Sequence, residues 1–251
     1  MAEEGSKNDP IAVGRYRSLA WTDEQVRRFW EYESQFPENY LSYGYRDKIV
    51  PRLRGALKGK KRVLDFGCGG GFLIPALGRV AGEVYGVDFS PKSIELTNER
   101  NAHVPNFKGA YAPQELVEMG LEFDGLLSVE VIEHLSDGQL AATAELVKQL
   151  LEPSGVIVLT TKNDEDLAAR RVYCPECDHV FHRWQHVRSW DTRSLFDFLT
   201  EQGFVDVRTW TTDFSPPLGL GVWGQVRRLA RAVVNGADTG LPRLIGAARM
   251  P

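Results

Sequence analysis

Val63-Leu64-Asp65-Phe66-Gly67-Cys68-Gly69-Gly70-Gly71-Phe72 reads as a short apolar strand that ends in a run of glycines before a helix begins. Gly67 and Gly69 would let the backbone pass close to a ligand, where a Cβ would collide. A dinucleotide-binding loop has the pattern G-x-G-x-x-G and sets a pyrophosphate at the helix N-terminus. Here the pattern is G-x-G-x-G, and Phe72 stands where the third glycine would fall. Asp65, directly before the loop, is badly placed beside a pyrophosphate and well placed to meet a cation such as an ammonium group.

Outward from this loop the chain alternates between strand and helix patterns. RVLDFG (62–67), EVYGVDF (83–89), NFKGAYA (106–112), FDGLLSVEVI (123–132) and VIVLTTKN (156–163) read as strands. Helices are expected at 71–80, at 91–102 behind a Ser90-Pro91 start signal, and at 137–151. A helix at 191–202, a strand FVDVRTW (204–210) and a last strand LIGAARM (244–250) continue the pattern and would close the sheet. The implied fold is α/β and Rossmann-like, a mostly parallel seven-stranded sheet with helices on both faces. Residues 1–20 read as a flexible leader. Residues 21–60 read as a helical lid, with one helix in WTDEQVRRFWEYESQF capped by Thr22 and a second from Asp47 to Leu57. The main domain is then 61–251, with an unusual insert at 173–190.

Asp88 ends the second strand, 23 residues after Asp65, where a carboxylate can accept both hydroxyls of a ribose. One acid for an amine, one for a ribose, and no phosphate-binding Lys or Arg favour S-adenosylmethionine over a nicotinamide dinucleotide. The segments VLDFGCGGGF, GVDFS and SVEVIEHL, in this order, resemble the motifs of class I S-adenosylmethionine methyltransferases, in the branch of the ubiquinone-biosynthesis O-methyltransferases and many small-molecule enzymes. The resemblance implies that Asp65, Gly67 and Gly69 line the methionine end of the cofactor, that Asp88 holds the ribose, and that Phe89 packs on the adenine. It also places Val129 and Glu130 beside the sulfonium and the amino acid moiety. The family often has Gly-Asp-Ala after the third strand; here Gly109-Ala110-Tyr111 stands instead, which leaves adenine contacts to backbone or Tyr111.

Methyl transfer to a hydroxyl needs a base, and His134 is the candidate this strand offers; the alternative is that it caps a helix or braces the loop. The fourth strand lacks the Asn/Asp-Pro-Pro-aromatic motif of nucleic-acid amino methylation, and no Pro-Cys nucleophile for base C5 methylation stands near it. With a formal net charge of −4 the chain has no global field that would draw it to nucleic acid, so a small-molecule acceptor such as a saccharide or natural-product scaffold is expected; the alternatives are an RNA or protein methyltransferase, or a module that binds S-adenosylmethionine without turnover.

Cys174-Pro-Glu-Cys177-Asp-His179-Val-Phe-His182-Arg-Trp-Gln-His186 holds two of the three cysteines and three of the five histidines. One reading is a structural zinc site of Cys174, Cys177, His182 and His186. A second is a metal-free acceptor pocket lined by the histidines, with Arg183 and Arg188 binding an anionic group, and a third is a purely structural segment. Tyr40, Tyr43, Tyr45 and Arg46 are expected in the lid, and GVWGQVRRLARAVV (221–234) as an amphipathic helix with a basic face. Three unevenly spaced cysteines, a polar N-terminus and no long apolar run point to a cytoplasmic protein without stable membrane insertion.

Overall fold

The computed structural model describes residues 10–214 and 242–251. At its centre is a seven-stranded sheet. In chain order its strands are β2 (Arg62–Phe66), β3 (Glu83–Val87), β4 (Phe107–Tyr111), β5 (Phe123–Val129), β6 (Leu151–Lys162), β9 (Val205–Thr212) and β10 (Arg243–Arg249). The spatial order is β4-β3-β2-β5-β6-β10-β9. β10 runs antiparallel to both neighbours, and the other pairings are parallel. The last strand therefore does not close an edge; it slots between β6 and β9.

The chain winds one way from β2 to β4, then returns to the centre at β5. Ligand crevices open at the carboxyl ends of strands where the winding reverses, here between β2 and β5. Both faces are covered. Phe66, Phe123, Leu126, Leu150, Leu195 and Leu199 pack one side, and Ile49, Leu53, Leu57, Ile74, Leu77 and Phe214 the other.

The helices are α1 (Asp23–Glu33), α2 (Leu41–Leu57), α3 (Ile74–Leu77), α4 (Pro91–Asn101), α5 (Pro113–Glu118), α6 (Asp137–Leu150) and α7 (Thr192–Glu201). Thr22 caps α1 with a reciprocal bond to Gln25, and Ser90 caps α4 ahead of Pro91. α3 is one short turn of the expected 71–80 helix: Gly71, at a left-handed φ of 72°, keeps the start of that stretch out of the helix, and Gly78 is the C-cap. α2 begins six residues earlier than expected and takes in the tyrosine stretch, with a kink at Tyr45.

A small second sheet holds β1 (Arg17–Ser18), β7 (Arg171–Cys174) and β8 (His179–His182) in the order β1-β8-β7. The expected leader is therefore built into the fold from Pro10 onward: Ile11 is buried against Leu167 and Val180, and β1 pairs with β8. Residues 1–9 and the expected helix at 221–234 lie outside the described residues.

Candidate active site

The glycine loop leaves β2 with Gly67 at φ 73° and Gly69 at φ 52°, a left-handed backbone that side chains with a Cβ disfavour. A Cβ on Gly67 would also come within 2.5 Å of Val131 Cγ2, and one on Gly69 within 3.2 Å of the Tyr40 ring. Part of the glycine requirement is thus the protein's own packing. α4 clamps the loop from one face: Thr97 Oγ1 donates to Gly69 O (2.7 Å), Asn101 Nδ2 to Gly71 O (3.0 Å), and Arg100 to Gly70 O. Sequence reasoning missed this clamp, although polar residues at 97, 100 and 101 share one helical face.

Asp65 is 2% exposed, and its Oδ2 has no hydrogen-bond partner. Burial, with the Asp88 charge adding to it, pushes its carboxyl up to about 7. Such a group is suited to an ammonium, which would supply both the missing donor and the missing charge. Asp88 lies at the end of β3 and holds the loop: Gly69 N–H donates to Oδ2 (2.8 Å) and Ser90 N–H to Oδ1 (2.9 Å). Enclosure raises its pKa, and these backbone donors oppose the rise. Each oxygen keeps a second lone pair for a ribose hydroxyl.

Phe89 beside it is 63% exposed, an apolar ring held out at the rim. Ala110 and Tyr111 serve the scaffold instead of standing open. Asn98 bonds both the N–H (2.7 Å) and the C=O (3.0 Å) of Ala110, and Tyr111 donates its hydroxyl to Lys108 O (2.8 Å). The backbone groups of Ala110 are therefore already used.

β5 ends at Val129 because Glu130 takes a φ of 55°, and its carboxylate turns toward β6 and β10. Thr160 Oγ1 donates to Glu130 Oε1 (2.9 Å), and Arg243 lies 3.4 Å from Oε2. A helical turn, Ile132–His134, follows. Glu133 is buried with neither carboxylate oxygen hydrogen-bonded; burial, then the Glu130 charge, pushes it well above the usual range. His134 Nδ1 is buried and unpartnered, and burial followed by repulsion from His186 holds its pKa well below the ordinary value.

The lid and the insert converge on His134. The Trp30 ring meets it edge-on at 4.7 Å and lies 6.2 Å from Tyr40. The Tyr40 hydroxyl is pushed above its ordinary pKa by burial and by the charges of Asp88 and Glu33. Gln185 Nε2 donates to His134 O (2.9 Å), and His186 packs edge-on against the His134 ring at 4.7 Å.

The four expected zinc ligands are not brought together. Cys174 pairs with His179 at the turn of the β7–β8 hairpin, and Cys177 is exposed beside it. His182, fully buried, pairs with Arg171 at the opposite end of the hairpin. Three residues along a strand amount to ~10 Å, whereas ligands of one zinc ion lie within about 4 Å of one another. Strand alternation adds to the split by turning Val180 and His182 inward.

Among the described residues, the compact donor groups are Glu133 with His134 and His186, and Glu165 with His182 and His186, neither containing a cysteine. Arg188 is likewise taken, by Leu135 O (2.9 Å) and Asp137 (2.7 Å), and Arg183 lies over Trp184. Among the described residues, no helix is long and apolar enough to cross a membrane.

Comparison with known proteins bears on this arrangement. The chain is 29% identical over 171 residues to a ubiquinone biosynthesis O-methyltransferase of Paracidovorax citrulli, covering 65% of this chain and 66% of that protein. It is 38% identical over 175 residues to one from Rhizobium etli, covering 64% and 67%. The chain thus matches about two thirds of the length of these curated relatives.

Among solved structures it is similar to DhpI in complex with SAH, with a TM-score of 0.60, 18% identity and coverage of 90% and 96%. It is also similar to the N-methyltransferase NodS of Bradyrhizobium japonicum WM9, with a TM-score of 0.60, 17% identity and coverage of 90% and 98%. At these identities the likeness establishes the fold. A family model described as a methyltransferase domain matches residues 29–209, most of the chain. The chain belongs to this methyltransferase family and is a class I S-adenosylmethionine-dependent methyltransferase.

Proposed function

We propose that the chain methylates a hydroxyl of a small-molecule acceptor, a saccharide or natural-product scaffold, with His134 as general base. The observation that carries this reading is the state of His134. It stands at the carboxyl end of β5 with an unpartnered Nδ1, and its enclosure favours the neutral imidazole that a base must be.

S-adenosylmethionine supplies an electrophilic methyl on a sulfonium that already carries a good leaving group. Asp65 would receive its ammonium and Asp88 its ribose, with Gly67 and Gly69 giving close backbone approach and Phe89 a face for the adenine. Val129 and Glu130 border the same crevice, and Ala110 and Tyr111 support its wall. Trp30 and Tyr40 exclude water above the reacting atoms. That exclusion, and alignment of the acceptor with the methyl, are where most of the rate would arise. The acidic balance of the chain fits a small acceptor better than nucleic acid.

The test is transfer of labelled methyl from S-adenosylmethionine to a panel of sugars, phenols and amines, with wild type and His134→Gln. The expected result is label on a hydroxyl acceptor, a rate in His134→Gln lower by about 100-fold or more, and unchanged cofactor affinity. Label only on amines, or a variant with full rate, would sink the reading.

A further inference from the structure

Between the end of β6 and the insert lies a buried carboxylate that no cofactor contact accounts for. Glu165 is 8% exposed and has three polar neighbours, two of them hydrogen-bonded to it. Lys162 Nζ donates to Oε1 at 2.5 Å, His182 Nε2 lies 3.5 Å from the same oxygen, and His186 Nδ1 bonds Oε2. Two of these partners come from the insert and one from β6, so the carboxylate pins the insert to the sheet. The rings of His182 and His186 stack at 4.4 Å.

The hydrogen bonds fix which nitrogen of each ring carries the proton. His182 Nδ1 accepts the amide N–H groups of Trp184 and His186, each at 3.3 Å, so the proton of a neutral His182 sits on Nε2, facing Glu165. His186 is the reverse case. Its Nδ1 faces a carboxylate, which accepts only, so Nδ1 carries the proton and Nε2 keeps a lone pair. The His186 ring in turn meets His134 edge-on at 4.7 Å, and His134 Nδ1 is buried and unpartnered.

We infer that Glu165 is a positioning residue of the acceptor site: it selects the Nδ1-protonated form of His186 and so presents an unprotonated Nε2 beside His134. The inference rests on the reading of His134 as the base. The general logic is that of a carboxylate that orients an imidazole through one nitrogen so that the other can serve the site. Against the rise that burial imposes, His182 and His186, with the Lys162 charge adding to them, hold Glu165 well below the usual carboxylate range, and the insert is coupled to the end of β5 through these side chains as well as through Gln185.

The test is an imidazole nitrogen spectrum of the uniformly labelled full chain at neutral pH, which separates protonated from unprotonated ring nitrogens. In the wild type, His186 should show a protonated Nδ1 and His182 a protonated Nε2. In Glu165→Ala, His186 should lose the Nδ1 preference and the His134 ring signals should move. His182 should keep its form, because its Nδ1 is still held by two backbone amides.

If Glu165→Ala does not fold, Glu165→Gln is used. It offers one acceptor oxygen in place of two, so the His186 signals should still shift. Calorimetry with S-adenosylmethionine alone should show unchanged affinity in the folded variant. A wild-type His186 protonated on Nε2, or a His186 spectrum indifferent to both substitutions, would overturn the inference. These outcomes do not depend on turnover, so failure of His134 as the base would be seen separately, in the transfer assay.

Discussion

Trp30 of α1 donates its indole N–H to Gln185 Oε1 across 3.1 Å, joining the N-terminal lid to the insert over a separation of 155 residues. Gln185 spends its other end on His134 O, so one buried side chain latches lid, insert and the end of β5. Gln185→Leu removes both bonds and should destabilise the fold by about 1–3 kcal/mol. Denaturant unfolding of Trp30→Phe, Gln185→Leu and the double variant measures the coupling. We expect non-additivity of about 1 kcal/mol, whereas strictly additive losses would show that the latch contributes nothing.

Asp65 should make the cofactor-free protein less stable toward neutral pH. Its carboxyl is raised from 3.8 to about 7 by burial and the Asp88 charge, so between these values the folded state binds the proton more tightly than the unfolded state does. The favourable contribution is complete below pH ~4 and lost as pH rises through ~7, on the order of 4 kcal/mol in all. Asp65→Asn cannot ionise. Without cofactor it should therefore melt higher than wild type at pH 8, with the gap closing by pH 4, while binding S-adenosylmethionine at least tenfold more weakly. Melting curves that run parallel across this range would contradict the assignment.

Gly67→Ala combines a left-handed φ of 73° with a Cβ 2.5 Å from Val131 Cγ2. The expected cost is about 2–4 kcal/mol. Adding Val131→Ala should return the steric part and leave about 1–2 kcal/mol of backbone strain. Full recovery in the double variant would mean that the backbone conformation carries no penalty.

The hairpin cysteines and the buried histidines should behave as separate features. Cys174→Ser with Cys177→Ser alters a half-buried residue at the end of β7 and an exposed one in the turn, and should leave both the melting temperature and cofactor affinity near wild type. His182→Ala empties a fully buried position and should cost about 2 kcal/mol or more. If both variants instead lost the same equivalent of zinc on elemental analysis, the four residues would share one ion after all.

The proposed cofactor side of the site draws on sequence signals that are local. Asp65, Gly67 and Gly69 are contiguous with β2, and Asp88 follows β3 directly, so alternation of strands and helices was enough to bring them to one edge. α5 was missed although Pro113 and Glu115 mark its first turn. The acceptor side was less legible because it depends on which way side chains point. C-x2-C-x4-H-x3-H spacing suggested one metal site, but hairpin register separates Cys174 from His182, and strand alternation buries the histidine. Glu165 had no motif of its own; its meaning arises only where the insert folds back on β6. The place of β10 inside the sheet follows from long-range pairing, which local pattern does not specify.

Asp88 is the residue on which cofactor binding should depend most directly: its carboxylate braces Gly69 and Ser90 and is assigned the ribose. Calorimetric titration of S-adenosylmethionine into wild type and Asp88→Ala tests it. We predict one equivalent bound by the wild type and an affinity at least tenfold lower in the variant, about 1.4 kcal/mol or more. No binding by the wild type, or equal binding by Asp88→Ala, would contradict it.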